Sequence, residues 1–314
     1  MIARPRRLVV MGSILMDVTV FVDRWPARGG DILARAGAAV PGGTFNIIAA
    51  ARRLGLDTAY GGLIGRGAFG DRIRQALAEL GVDLLASASG RDAEDTGFDV
   101  AVVEGDGERT FITVPGREAH LQPRDLANVR IGAGDAVYVT GYDLLYPESG
   151  ATLEAFFGNL PAGAKAVLDP GPLVADVPAA RLHAVLRRLS VLTLNEREGE
   201  RLTGEQDPDR IFAALESIVP AAALVVLRLG QEGALVGGAG HRPVRVPARS
   251  TTARDTTGAG DVHTAALLAA LARGVTLGDA VREANAAASW AVEREGPSES
   301  PSRSELDRLL AEWT

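Results

Sequence analysis

The stretch of this 314-residue chain best suited to chemistry is a glycine-rich turn ending in a carboxylate, Asp255-Thr256-Thr257-Gly258-Ala259-Gly260-Asp261. Just beyond it, a run of small and apolar residues from His263 to Arg273 reads as a helix, and Gly274 stands where such a helix would stop. The first turn of a helix leaves backbone N–H groups without partners and carries partial positive charge. Gly258 and Gly260 let the backbone approach a ligand with no Cβ in between. Together these features make a pocket for an anion, above all phosphate. Asp261 would repel phosphate if binding were the only task. It fits instead as a base that takes a proton from an attacking hydroxyl. The N–H groups of Gly258, Ala259 and Gly260 would meanwhile hold the charge on a transferring phosphoryl group. The plainer alternative is a loop whose aspartate merely caps a helix. The chain supplies its own comparison: Gly132-Ala133-Gly134-Asp135 repeats the last four letters but runs into the strand-like Ala136–Thr140, and so reads as a turn.

Other residues gain meaning from their place. Asp17 follows the apolar run Leu8–Gly12, and ligands of open α/β sheets bind beyond the carboxyl ends of strands. A carboxylate there accepts hydrogen bonds from two neighbouring hydroxyls, or is simply a solvated turn residue. Gly42-Gly43 followed by Asn46 offers close backbone approach and a side chain that both donates and accepts; the bland reading is a turn with a helix cap. Asn195 and Glu198 follow the run Val191–Leu194 at a spacing that suits a capping box and also places both side chains on one face. Gly65-Arg66-Gly67-Ala68-Phe69-Gly70, with Asp92 further on, matches the dinucleotide fingerprint and raises the alternative of an NAD-dependent oxidoreductase. No His-Glu or Tyr-Lys pair for hydride transfer follows it, and Lys165 is the only lysine.

The elements that must position these residues alternate between strand and helix, which predicts an α/β fold with a mostly parallel sheet. Strands are expected at Leu8–Gly12, Val18–Val22, Asp31–Ala36, Thr58–Ile64, Ala136–Thr140, Ala166–Leu168, Val191–Leu194 and Leu224–Arg228. Helices are expected at Asn46–Leu54, Asp71–Leu80, Gly150–Asn159, Ala179–Leu189, Arg210–Ile218, His263–Arg273 and Leu277–Glu293. Phe98–Val103 and Arg109–Val114 read as a hairpin with one face toward solvent or ligand, and Ala234–Val246 as another. The first hairpin, Val18–Val22 and Asp31–Ala36 would make a small separate sheet.

Composition excludes several classes. A net charge of −7 favours neither nucleic acid nor an anionic membrane as partner. With no cysteine there is no disulfide, thiolate metal site or cysteine nucleophile. The single lysine rules out a Walker-type P-loop, and four scattered histidines make no zinc pair. No run reaches transmembrane length, and the arginine-rich start with its short apolar run lacks the pattern of a secretory signal, so a cytoplasmic protein is expected.

Asp255 to Asp261 resembles the C-terminal signature of the PfkB/ribokinase family of sugar and nucleoside kinases. Gly42-Gly43-Thr44-Phe45-Asn46, continuing through Gly55 and Gly65 to Phe69-Gly70-Asp71, resembles its N-terminal signature. The likeness runs from Leu8 to about Ser300, and Leu168-Asp169-Pro170-Gly171-Pro172 looks most like bacterial sugar kinases. It implies one ribokinase-like three-layer domain over residues 1–314, with a β lid from about 15–38 and 96–116. It also implies ATP-dependent phosphorylation of a sugar or nucleoside hydroxyl, with Mg²⁺. By the same resemblance Asp261 is the base; Asp17, Gly42, Gly43 and Asn46 hold substrate; Asn195, Glu198, Arg228, Gly230, Gly233, Thr257 and Asn285 lie along the nucleotide. Many relatives bind a monovalent cation such as K⁺; the matching positions are Asp255, Thr257, Ala291, Arg294, Gly296 and Ser300. Some pair lid to lid as homodimers. The ribose-phosphorylating members carry Asn where this chain has Leu15 and a smaller residue at Phe45, so the resemblance points away from ribose or to a reshaped pocket; in the loop against the nucleotide they carry Thr at Arg228. A non-catalytic sugar- or nucleotide-binding protein on the same fold is the remaining alternative.

Overall fold

The computed structural model describes residues 4–86, 94–105, 109–294 and 299–313. Its strands, in chain order, are β1 (Arg7–Val10), β2 (Ile14–Phe21), β3 (Ala36–Gly43), β4 (Asp57–Tyr60), β5 (Asp83–Leu84), β6 (Phe98–Val103), β7 (Arg109–Val114), β8 (Asp135–Thr140), β9 (Lys165–Asp169), β10 (Val191–Asn195), β11 (Leu224–Arg228), β12 (Ala234–Gly238) and β13 (His241–Val246). Nine of them form one sheet in the order β13-β12-β11-β10-β9-β8-β1-β4-β5. From β11 to β5 every pairing is parallel; only β12 and β13 run antiparallel at the edge. Successive strand residues point to opposite faces, and both faces are covered. Leu8, Val10, Tyr138 and Val226 pack into one core with the helices Phe45–Arg53, Ala259–Arg273 and Leu277–Val292. Val9, Val137, Leu168, Leu192 and Leu227 pack into the other. Burial on both faces is why these strands read as unbroken apolar runs rather than alternating ones. The order of chain progress reverses at β1, which has β4 on one side and β8 on the other. In such sheets that switch point opens a crevice at the carboxyl ends of the strands.

A second sheet of four strands, β3-β2-β6-β7, stands apart from the first. Three expectations change. The strand expected at Asp31–Ala36 lies instead at Ala36–Gly43, paired along its length with β2 from Ile14↔Gly43 to Phe21↔Ala36. Asp17 is not in a turn after β1 but within β2. The helix expected from His263 begins at Ala259, so Gly260 and Asp261 are inside its first turn. It stops where expected, at Gly274, whose left-handed φ of 78° suits glycine.

Candidate active site

The carboxyl ends of the parallel strands and the inner face of the small sheet enclose a cavity of about 380 Å³. Thr140, Asp169, Asn195 and Arg228, each the last residue of β8, β9, β10 or β11, line it. Asp17 and Asp99 enter from the small sheet, Gly43, Thr44 and Asn46 from the junction of β3 with the helix Phe45–Arg53, and Thr257, Gly258, Gly260 and Asp261 from the glycine-rich stretch and the helix start it leads into.

That turn has the geometry anion binding needs. Gly258 adopts φ 74°, a conformation that strains any other residue, and leads into the helix with no side-chain cap over its N-terminus. Among the described residues no acceptor meets the N–H of Gly258, Gly260 or Asp261. The N–H of Ala259 differs: it donates to the Thr256 carbonyl at 3.2 Å, so its expected place among the anion-holding groups is already taken by the turn. Asp255 braces the loop, accepting from Thr257 N–H at 2.8 Å and pairing with Arg109 of β7 at 2.5 Å.

Asp261 joins the two signatures. Its side chain shares the cavity with Asn46, which favours the ionised carboxylate. Burial, and then the negative charge of Asp169, push its pKa up to about 7, against the opposing pull of Arg228 and Asn46. A carboxylate poised near neutrality is suited to accept a proton.

On one side of Asp261 lies a charge network built on Arg228. Its guanidinium donates to Asp169 at 2.9 Å and to Thr193 at 2.9 Å, and reaches Glu198 at 3.5 Å. A Cβ on Gly260 would lie 3.3 Å from the guanidinium carbon, so this cation flanks the start of the helix. Glu198 is pushed up to about 7 by burial and by Asp169, with Arg228 opposing. Asn195 and Glu198 do form the capping box: Asn195 N–H donates to Glu198 at 2.8 Å, and Glu198 N–H to Asn195 at 2.9 Å. Both also line the cavity, so both readings of that pair hold together.

On the other side lies Asp17. The missing side chain of Gly42 gives it room: a Cβ there would sit 1.9 Å from the Asp17 carboxylate. Gly42 itself is buried behind that carboxylate, whereas Gly43, with φ 59°, lines the cavity. Gly42→Ala is therefore expected to displace Asp17 and lower kcat/KM for the acceptor by about a hundredfold. The KM for nucleotide should stay within about threefold. Steady-state kinetics with each substrate varied in turn checks this; an equal rise in both KM values would contradict it.

Several expected residues do not meet the cavity. Asn285 is buried and spends its amide on the carbonyls of Val246 and Pro247, at 2.9 and 3.0 Å, and on His263 at 3.1 Å. It fastens the helix Leu277–Val292 to the end of β13. Gly233, with φ 94°, closes a turn against the Val246 carbonyl, and Gly230 is exposed. Of the positions matched to a monovalent cation, Asp255, Ala291 and Ser300 are buried, and the Ser300 hydroxyl has no hydrogen-bond partner among the described residues. Arg294 stacks on the Trp290 ring at 3.4 Å. Gly296 lies outside the described residues, as does Asp92 of the dinucleotide fingerprint.

The helix start within that fingerprint is occupied by the protein itself. The Asp95 carboxylate accepts from Phe69 N–H at 3.0 Å and Gly70 N–H at 2.8 Å, where a pyrophosphate would have to bind. A Cβ on Gly65 would fall 2.2 Å from the backbone at Asp95 and Thr96. These glycines serve close packing of this segment, which removes the basis for the oxidoreductase reading.

The model of the pfkB family of carbohydrate kinases matches residues 5–304. The chain belongs to this family. It is 34% identical over 314 residues to the uncharacterized sugar kinase YegV of Escherichia coli strain K12, covering 97% of this chain and 93% of that one. It is 30% identical over 319 residues to the ribokinase of Arabidopsis thaliana, covering 96% and 80%. The structure of Arabidopsis ribokinase complexed with ribose and ATP aligns over 98% of this chain and 99% of that chain, with TM-score 0.77 and 28% identity. A probable sugar kinase from Rhizobium etli aligns with TM-score 0.83 at 20% identity over 98% and 99% of the two chains, a likeness of fold. This pfkB-family protein is thus a carbohydrate kinase, a phosphotransferase with the ribokinase-like α/β fold and the ATP use of its family.

Some cavity residues of this kinase escaped the sequence reading of site roles. Asp169 carried the same positional signal as Asn195, a polar residue directly after an apolar strand. Asp99 was visible as a charge on the inward phase of β6, whose residues alternate between half-buried and buried. Tyr142 lies in a short helix after β8, Gly141–Leu145, that no periodicity announced, and Tyr146 follows directly at its end.

Proposed function

We propose that this kinase transfers the γ-phosphoryl group of ATP to a hydroxyl of a small sugar or nucleoside, with Asp261 as the general base. The observation that carries this is that Asn46 and Asp261, one from each signature, line one cavity beside the uncapped helix start. The acceptor hydroxyl approaches Asp261 from the Asp17 side. Its oxygen attacks the phosphorus, its proton passes to the carboxylate, and the bond to the ADP oxygen breaks. The N–H groups of Gly258, Gly260 and Asp261 take the charge that grows on the phosphoryl oxygens. Asp17, Gly43 and Asn46 hold the acceptor; Asn195, Glu198, Arg228 and Thr257 border the phosphates.

Among the described residues no cluster of three or more His, Asp or Glu side chains suits a metal. Mg²⁺ would therefore be carried mainly by the nucleotide phosphates, with Asn195 and Glu198 reaching it through water, and it would neutralise their charge. The orphaned Ser300 hydroxyl fits a monovalent cation held with Asp255, Thr257 and Ala291. The small sheet acts as a lid, excluding water as a rival acceptor. Its edge strand β7 exposes Ile112 and Val114 on the face away from the cavity, a surface suited to a second copy of the chain; light scattering returning only the monomer mass would argue against that.

The test is ADP release from Mg-ATP across pentoses, hexoses, sugar acids and nucleosides, run with K⁺ and with tetramethylammonium in its place. Acceptor-dependent ADP release, faster with K⁺, is expected. Silence with every acceptor would overturn the phosphotransfer reading, and equal rates with both cations the K⁺ reading.

A further inference from the structure

Asp17 and Asp99 stand opposite each other on the neighbouring parallel strands β2 and β6, and both side chains line the cavity. They are 7% and 8% exposed, and the Oδ1 atom of each has no hydrogen-bond partner among the described residues. The two carboxyl groups act on each other across this face of the cavity. Burial and the neighbouring Asp99 push Asp17 up to about 8, and burial raises Asp99 as well. Arg228 is the one cation among the residues lining the cavity, and it is engaged by Asp169, Thr193 and Glu198. An ionised carboxylate only accepts hydrogen bonds, and a buried acceptor left without a donor is costly. The donors therefore come from the ligand.

We propose that Asp99 is a second acceptor-facing carboxylate and that, with Asp17, it selects uncharged, hydroxyl-rich acceptors and rejects sugar acids and sugar phosphates. This rests on the phosphotransfer reading above and names the substrate class for it. A sugar ring that offers adjacent hydroxyls satisfies both open oxygens. An anionic acceptor brings fewer donors and places a further negative charge beside Asp17, Asp99 and Asp261, a juxtaposition that interfaces use to exclude wrong partners.

The test compares an active neutral sugar with its carboxylic acid and its phosphate ester. It measures kcat/KM by ADP release and binding of each acceptor by calorimetry without nucleotide. The anionic forms are expected to lose about a hundredfold in both readouts. Asp99→Asn, nearly the same in shape, is expected to narrow that gap to about tenfold. Anionic acceptors equal to or better than the neutral sugar in the wild-type protein would overturn the proposal without any variant. So would an Asp99→Asn protein, folded by circular dichroism, with the gap unchanged. Absence of ADP release with every acceptor would instead count against phosphotransfer, and calorimetry would still read the charge preference.

Discussion

Asp261→Asn is expected to lower kcat by about 10² to 10⁴, with ATP binding within about threefold of the wild type. Asn keeps the shape and the contact with Asn46 but cannot take up the acceptor's proton. The helix start proposed to meet the phosphates is left in place. The pH dependence follows with a definite sign. Burial and Asp169 raise Asp261 to about 7, and only its ionised form is a base. Wild-type kcat/KM should therefore rise about tenfold per pH unit below 7 and level off above it. Glu198 is also pushed up to about 7, so Glu198→Gln serves as the control and should keep that limb. Kinetics across pH 5.5–9 with both variants decide the matter. Turnover of Asp261→Asn near the wild-type value would refute the assignment of the base.

Arg228→Met should produce the largest loss of stability. The arginine is the shared partner of Asp169 and Glu198, whose side chains are 12% and 7% exposed. Removing it leaves two buried carboxylates facing each other and Asp261. Breaking a buried pair in this way costs about 3–5 kcal/mol, a fall in Tm of roughly 5–10 °C. A carboxyl whose folded pKa is raised holds its proton more tightly in the folded state, so stability is lost as pH rises through the ordinary carboxylate range toward 7. The defect of Arg228→Met should thus be greatest near pH 8 and shrink on acidification as Glu198 takes up a proton. Calorimetric melting at pH 6 and pH 8 measures it; equal melting of variant and wild type at pH 8 would show that the network does not hold the site together.

The chain's own letters carried much of this. Leu224–Arg228 and the strands Phe98–Val103 and Arg109–Val114 lie where their apolar patterns place them. Local sequence was weakest where residues are small. Ala36-Gly37-Ala38-Ala39 has little β propensity and Pro41-Gly42-Gly43 reads as a turn, so β3 was misplaced. It is extended because β2 pairs with it along its length, and Pro41 is tolerated because β3 is an edge strand. The helix at Ala259 began unseen for a similar reason: Ala259 and Gly260 show no apolar periodicity, and the left-handed Gly258 looks like any loop glycine. Gly-x-Gly-x-x-Gly at Gly65 offered a local signal for the alternative reading that the structure does not support. Its spacing is right, but Asp95, distant in sequence, fills the anion position.

Sequence alone determined the fold class and marked the glycine-rich turn and Asp261 as the candidates for anion binding and base, because each signal depends on residue types that act over a few neighbours: apolar runs, glycines before a helix, a carboxylate in its first turn. Tertiary structure alone decided which groups share the cavity. It set Asp99 beside Asp17 through strand register, turned Asn46 onto Asp261, placed Arg228 among Asp169, Glu198 and the helix start, and withdrew Asn285 into the core. Charges and hydrogen bonds act through space at a few ångströms, and residues separated by tens to hundreds of positions meet at that range only once the sheets have paired.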